Sequence, residues 1–305
     1  MTQGEEVSPE FLDVRELIER SQPRARVGWF WYAAGVFLLV VVASAYVAAE
    51  WPAGARVVDL LSKLCMVGLM VGLAWMTSLT VKRQREEMKR VEGLEELVQL
   101  RRWPEAAGMA RALLSRPTRT PVARIQGLIF LSSILARYHR FEDAIFVQNH
   151  LLDTVNFDDS TTHGIRLGRA MAMLHEDHLV DADRAISELR RGEGGKESSG
   201  LALIELYRDV KTGHPNEAIE RFEKSLPLFQ EQLGHRTGDA YALLAKAYDL
   251  LGRDVEARSA YEKATLLTAV SELDRRYPEV AKMHGKYPLA PVPAGAGFHG
   301  SEGAI

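Results

Sequence analysis

The chain has 305 residues, of which 26% are charged and 47% hydrophobic, and its formal net charge at pH 7 is −3. The charge is unevenly spread: residues 82–140 carry 13 basic and 6 acidic side chains, whereas residues 141–305 carry 19 basic and 27 acidic ones. The only cysteine, Cys65, excludes both a disulfide framework and a cysteine-rich metal site.

Residues 1–28 are predicted to form an N-terminal amphipathic segment. Ser8-Pro9-Glu10 is a helix-start signal, and the apolar residues that follow it, such as Leu12 and Leu17, alternate with charged ones. The sequence leaves two positions open for this helix, on a membrane surface or packed on the rest of the chain.

Two long uncharged runs follow, and they predict a transmembrane hairpin over residues 29–81. The first span, residues 29–49, has no charge over 21 positions, enough to cross a hydrocarbon core of about 30 Å as a helix. The second span covers about residues 59–81, and Pro52 and Gly54 mark a tight turn between the two. A cleaved signal peptide, ending near Ala43-Ser44-Ala45, is the alternative, which the long acidic leader disfavours.

Basic residues flank this hairpin on one side. Arg24 and Arg26 precede the first span, and residues 82–92 form a basic juxtamembrane linker after the second. The positive-inside rule then places both termini and the remaining domain in the cytoplasm, at an inner or plasma membrane, with the lipid bilayer as a partner. Gly68 and Gly72 form a GxxxG motif, which serves helix packing within the hairpin or in a homodimer.

The rest of the chain carries an internal repeat. Five alanines recur at spacings of 38, 38, 36 and 39 residues, each at the start of a helical pattern: Ala106, Ala144, Ala182, Ala218 and Ala257. A period of this length is typical of stacked helix pairs, so we expect an all-α solenoid of about five pairs over residues 93–285. Residues 286–305 are rich in proline and glycine and are predicted to be a disordered tail.

The clearest repeat unit spans residues 238–267 and resembles a tetratricopeptide repeat. The matching residues are Tyr241, Leu244, Ala245 and Tyr248 in its first helix, Gly252 at its turn, and Ala257, Tyr261 and Ala264 in its second helix. The period exceeds the usual 34 or so residues of that family, as in the longer repeats of kinesin light chains. Another helical-pair solenoid, or a helical domain without stacking, stays open as an alternative.

The resemblance implies a function by binding. In this family a concave face, lined by the first helix of each repeat, holds a peptide or helix of a partner protein. In the best repeat the groove positions are Asp239, Ala242, Lys246 and Asp249.

Motifs that would indicate chemistry are few. His175 and His178 lack a third metal ligand in the sequence, and Gly192–Gly200 departs from the phosphate-loop pattern, so we expect no enzyme activity, cofactor or metal. Nucleic acid is not expected either, since the basic block has few aromatics and adjoins the predicted membrane hairpin. The resulting hypothesis is a membrane-anchored adaptor for a partner protein. One alternative is an accessory or assembly subunit of a membrane enzyme or secretion complex, contacted through the hairpin. Another is an enzyme with an unfamiliar site on its helices.

Overall fold

The computed structural model describes residues 12–23, 55–192 and 198–287, together with six positions between 35 and 46. Every regular element in these ranges is helical, which confirms the all-α prediction. The contacts divide the chain into two units, residues 1–156 and residues 157–305, and each unit is treated by itself.

Unit 1 contains five described helices: α1 (Val14–Arg20), α2 (Ala55–Gln99), α3 (Trp103–Leu114), α4 (Pro121–Arg137) and α5 (Phe141–Thr154). The long helices of unit 2 are α6 (Asp159–His175), α7 (Leu179–Gly192), α8 (Ser199–Lys211), α9 (Pro215–Gln232), α10 (Thr237–Leu250) and α11 (Asp254–Leu267). Three short helices end the described chain: α12 (Val270–Arg276), α13 (Pro278–Ala281) and α14 (Met283–Lys286).

Local sequence sets where several of these helices begin. Proline occupies the first turn of α3, α4, α9 and α13, where its missing N–H group costs no intrahelical hydrogen bond. Asp158 and Ser198 cap α6 and α8 by accepting a hydrogen bond from the backbone N–H three residues later. Pro227 lies inside α9, which nevertheless continues to Gln232 before a 3₁₀ turn at Gly234–Arg236.

One backbone feature recurs between the two helices of each pair. A residue in the left-handed region, with φ between 58° and 76°, ends the first helix of all five pairs: Arg101, His139, Asp177, Gly213 and Gly252. Each stands five residues before one of the five repeating alanines, and all five alanines are fully buried. The alanine spacing and the turn spacing therefore report the same repeat register, α2–α3, α4–α5, α6–α7, α8–α9 and α10–α11.

The predicted transmembrane hairpin is not supported. Among the described residues, no helix is long and apolar enough to cross a membrane. The first predicted span, residues 29–49, lies largely outside the described residues, and the second forms the start of α2, which continues through residues 82–92 to Gln99. This finding overturns the predicted two-span membrane protein with cytoplasmic termini, and a lipid partner loses its basis.

Length and flanking charge are the physical reasons that the second run falls short of a membrane span. Residues 64–81 measure about 27 Å as a helix, short of the roughly 30 Å hydrocarbon core. Extending the run back to residue 59 brings in Asp59 and Lys63. Gly68 and Gly72 have no atom within 4 Å of an added Cβ, so neither has a close packing neighbour among the described residues.

The N-terminal segment packs on the repeats, which decides between its two predicted positions. Leu12, Leu17 and Ile18 are buried, and α1 contacts α3 and α5. The guanidinium of Arg140 donates a hydrogen bond of 2.8 Å to the carbonyl of Leu12. Helix α1 is therefore part of the fold of unit 1.

In unit 2 the first helices of successive pairs, α6, α8 and α10, contact one another in order. We call the surface formed by the first helices of a unit its first-helix face. Helices α8 and α10 have buried residues on nearly all sides, including Tyr207, Asp209 and Asp239. Something beyond the repeat pairs must therefore cover their outer surfaces.

Candidate functional site

Equivalent positions on the first helices show where the first-helix face is open. The position six residues before each left-handed turn residue is Glu95, Ser133, Met171, Tyr207 or Lys246, and the last of these is a predicted groove residue. Glu95 and Ser133, in unit 1, are exposed, whereas Met171 and Lys246 are half-buried and Tyr207 is fully buried. The face is thus exposed at this position in unit 1 and covered in unit 2.

The covering element in unit 2 is the chain's own C-terminal segment, which we define as residues 270–287. Its five buried side chains join the core formed by helices α6 to α11: Leu273, Tyr277, Val280, Met283 and Tyr287. The three helices of this segment have seven, four and four residues, too few to be stable alone in water. Its conformation therefore depends on its contacts with the first-helix face.

Two of the four predicted groove residues, Asp239 and Asp249, pair with side chains of this segment. Asp239 and Ala242 are fully buried, and the Arg276 guanidinium lies 2.9 and 2.8 Å from the two carboxylate oxygens of Asp239. The ammonium of Lys246 donates to Asp249 at 2.8 Å. The segment therefore covers α10 at Asp239, and the groove itself stays a prediction.

The segment makes a second charged contact with α10, an ionic cluster around Asp249. Lys286 donates to Asp249 at 2.7 Å and lies 2.8 Å from Asp254, while the hydroxyl of Tyr287 donates to Asp254 at 2.7 Å. Burial raises the pKa of Asp249, but hydrogen bonds from Lys246 and Lys286 outweigh it, so that the pKa lies below its ordinary value. Hydrogen bonds from Lys286 and Tyr287 lower the pKa of Asp254 as well. Both carboxylates are therefore held in the charged form.

Tyr207 forms the aromatic centre of the covered face. Its hydroxyl donates to Glu279 at 3.0 Å, and its ring meets that of Tyr277 edge-on at 5.2 Å. The His175 ring, from α6, lies 5.1 Å from the Tyr207 ring. Burial, and then the charge of Glu279, raises the pKa of Tyr207, so the hydroxyl stays protonated and acts as a donor. The C-terminal segment thus contacts side chains of α6, α8 and α10.

A second charged network lies nearby, between α7, α8 and α9. Glu205 and Asp209 are both buried on α8, and Arg221 donates to them at 2.5 and 2.7 Å. Arg190 and Arg208 also pair with these carboxylates. Because each carboxylate is matched by arginines from its own or a neighbouring helix, this network ties the helices together.

The residues predicted to pack the best repeat are placed as follows. Leu244, Ala245, Ala257, Tyr261 and Ala264 are buried, Tyr241 and Tyr248 are half-buried, and Gly252 holds the left-handed turn. The Tyr241 ring lies 5.1 Å from the Phe222 ring of the preceding pair, tilted by 55°.

Neither sequence pattern that hinted at chemistry forms a site in the described residues. His175 belongs to the aromatic cluster around Tyr207, and no group of three or more potential metal-binding side chains occurs among the residues described. Of the glycine-rich stretch at 192–200, residues 193–197 lie outside the described residues, and Ser198 caps α8.

Sequence reasoning missed the covering segment and the role of Tyr207. One signal was available, since Arg276-Tyr277-Pro278 and Lys286-Tyr287-Pro288 repeat the same basic–tyrosine–proline pattern ten residues apart. Asp239 and Asp249 on α10 are also ten residues apart.

Comparison with known proteins agrees with the repeat geometry. A tetratricopeptide repeat family model matches residues 206–265, which run from α8 through α9 and α10 into α11. No curated protein and no solved structure matches the chain. Residues 206–265 are therefore tetratricopeptide-repeat-like, and the surrounding helix pairs share their turn register.

Proposed function

We propose that the chain is a scaffold that binds segments of a partner protein on its first-helix faces, and that it acts by binding and not by catalysis. The observation that carries this proposal is the family match on residues 206–265, together with a turn register shared by five helix pairs. Stacked helical repeats use such surfaces to hold other proteins.

The exposed first-helix positions of unit 1 support the same proposal. Ser133 is exposed on α4, at the position equivalent to the groove residue Lys246. The neighbouring Ile129 and Phe130 are only half-buried, which leaves apolar surface beside a polar side chain. A mixed surface of this kind suits a peptide that presents both apolar and polar groups.

The alternative of an accessory subunit contacted through a membrane hairpin is dropped, because the hairpin is overturned.

Site-specific photo-crosslinking in the cells that produce the protein tests this function. A photoreactive residue replaces Ser133 on the first-helix face, and in the control it replaces Glu142, an exposed residue on the second helix of the same pair. We expect discrete adducts with another protein from position 133 that position 142 does not give. Equal adduct patterns from both positions would contradict the proposal, as would an adduct formed only with a second copy of the chain.

A further inference from the structure

The C-terminal segment meets α10 in a matched register. Arg276 and Lys286 are ten residues apart in the segment, and they pair with Asp239 and Asp249, which are ten residues apart on α10. Each basic residue is followed by a tyrosine that is buried on the same face, Tyr277 being 2% exposed and Tyr287 3%. The segment is therefore held by two basic–tyrosine pairs at two carboxylates.

The two pairs are recognised in different ways. Tyr277 lies in the aromatic cluster with Tyr207, whereas the hydroxyl of Tyr287 lies 3.2 Å from Asp249 and 2.7 Å from Asp254. Asp239 is fully buried, so its charge needs a cationic partner whenever the face is covered. A ligand for this face must therefore supply a cation at each end and an aromatic ring beside it.

We propose that the first-helix face of unit 2 is a recognition surface for partner segments that carry two basic–tyrosine pairs, and that the C-terminal segment occupies it in cis. This inference rests on the proposed scaffold function and assigns a ligand chemistry to one of its faces. The resident segment is a competitor that a partner has to displace. The segment is the element that dissociates from the face when a partner binds. Its helices are too short to stay folded alone, so they unfold once the segment has left the face.

The charged and aromatic side chains of the face determine which segments it can bind. A segment with glutamate in place of Arg276 would bring a second carboxylate to Asp239. A segment with leucine in place of Tyr277 would leave the Tyr207 ring without the edge-on aromatic contact that it has here. The positions of Asp249 and Asp254 beside Lys286 likewise favour a cation over a neutral side chain.

A peptide supplied in trans tests this proposal on the full-length chain. The probe is a fluorescein-labelled synthetic peptide of residues 270–290, and fluorescence anisotropy measures its binding. The receptor is either the unaltered chain or the double variant Arg276→Gln/Lys286→Gln, which weakens the cis contact and leaves both carboxylates of α10 in place. Because the apparent affinity scales with the fraction of open faces, we expect the double variant to bind the peptide at least about tenfold more tightly.

Two controls make the result specific. A peptide in which both basic residues are glutamine should bind the double variant far more weakly, and adding Asp239→Asn and Asp249→Asn to that variant should abolish the gain. A folded double variant that binds the peptide no better than the unaltered chain would overturn the proposal. Light scattering measures the molar mass of the double variant. The mass of a dimer, as expected if two copies exchanged their segments, would also overturn the proposal.

Hydrogen–deuterium exchange of the unaltered chain covers the case in which the double variant fails to fold. Exchange over residues 270–287 that is at least about tenfold faster than over α8 and α10 supports a releasable segment. Equal protection would make the segment a permanent part of the core and would overturn the proposal. Adducts from position 133 combined with failure of the peptide experiment would leave the scaffold function standing and remove this inference alone.

Discussion

Arg276 and Asp239 form the contact that joins the C-terminal segment to the start of α10. One guanidinium nitrogen lies within 2.9 Å of both carboxylate oxygens, and the Asp239 side chain has no exposed surface. The guanidinium of Arg236 also approaches this carboxylate, at 3.4 Å. A predicted groove residue is thus a buried anion, and the chain itself supplies its cations.

Asp239→Asn should destabilise unit 2 strongly. The substitution removes the charge that Arg276 faces while the arginine side chain stays only 24% exposed. Breaking a buried pair on one side costs about 3 kcal/mol or more. Chemical denaturation followed by circular dichroism measures the loss. The control is Asp181→Asn, because the Asp181 side chain is 58% exposed and lies 3.8 Å from Arg184, so its loss should stay within about 1 kcal/mol. Equal losses in the two variants would contradict the importance of this buried pair.

The repeat register was within reach of the sequence, but the covered groove was not. Alanine at a helix crossing leaves a trace every 36 to 39 residues, because only a small side chain fits there. Only two of the five left-handed turns are marked by a glycine in the sequence, Gly213 and Gly252. The other three adopt the same backbone conformation with Arg101, His139 and Asp177. The helices of the C-terminal segment are too short to show a helical periodicity, and the position of the segment depends on contacts made across the chain.

The membrane prediction failed because the second uncharged run is short. A span has to cross a hydrocarbon core of about 30 Å, whereas residues 64–81 measure about 27 Å as a helix and follow Asp59 and Lys63. Charged residues lie on both sides of this run within helix α2, so the run is one part of a 45-residue helix.

Two tyrosine-to-phenylalanine substitutions should have opposite effects on stability. Tyr207→Phe removes the hydroxyl that donates to Glu279, and a hydrogen bond to a charged group contributes about 2 kcal/mol. Tyr261 is fully buried and its hydroxyl has no hydrogen-bond partner among the described residues, so Tyr261→Phe removes an unsatisfied polar group. We expect a gain of about 1 kcal/mol from the latter.

Thermal unfolding of the two variants against the unaltered chain checks this pair. The two substitutions delete the same atom from the same type of side chain, so each serves as the control for the other. Melting temperatures that shift in the same direction would contradict the difference between a hydrogen-bonded hydroxyl at Tyr207 and an unsatisfied one at Tyr261.

Gly252→Ala and Gly164→Ala should also differ in sign. Gly252 has a φ of 70°, where a Cβ atom costs about 1 kcal/mol although nothing lies within 4 Å of it. Gly164 is exposed within α6, also with open space around an added Cβ, and alanine there should stabilise the helix by up to about 1 kcal/mol. Denaturant midpoints of both variants measure the difference. A stabilising Gly252→Ala would contradict the left-handed turn in the last helix pair.

The ionic cluster at the end of the groove should give unit 2 a stability component that disappears in acid. Hydrogen bonds hold the folded pKa values of Asp249 and Asp254 below the ordinary range, despite the opposing effect of burial on Asp249. A depressed carboxyl pKa contributes stability above the unfolded value of about 3.9, and that contribution is lost as the pH falls through the folded pKa. Lys286→Met removes the shared cation of both carboxylates.

The measurement is the difference in denaturation midpoint between the unaltered chain and Lys286→Met, followed against pH. We expect the variant to be less stable by a nearly constant amount from about pH 6 to pH 9, because both carboxylates are charged throughout that range. The difference should shrink below about pH 4 as the carboxylates take up protons. Lys282→Met, an exposed lysine of the same segment that forms no ion pair among the described residues, should show no such pH-dependent difference. A Lys286→Met difference that persists unchanged at pH 3 would mean that the lysine stabilises the segment through its alkyl chain, without the two carboxylates.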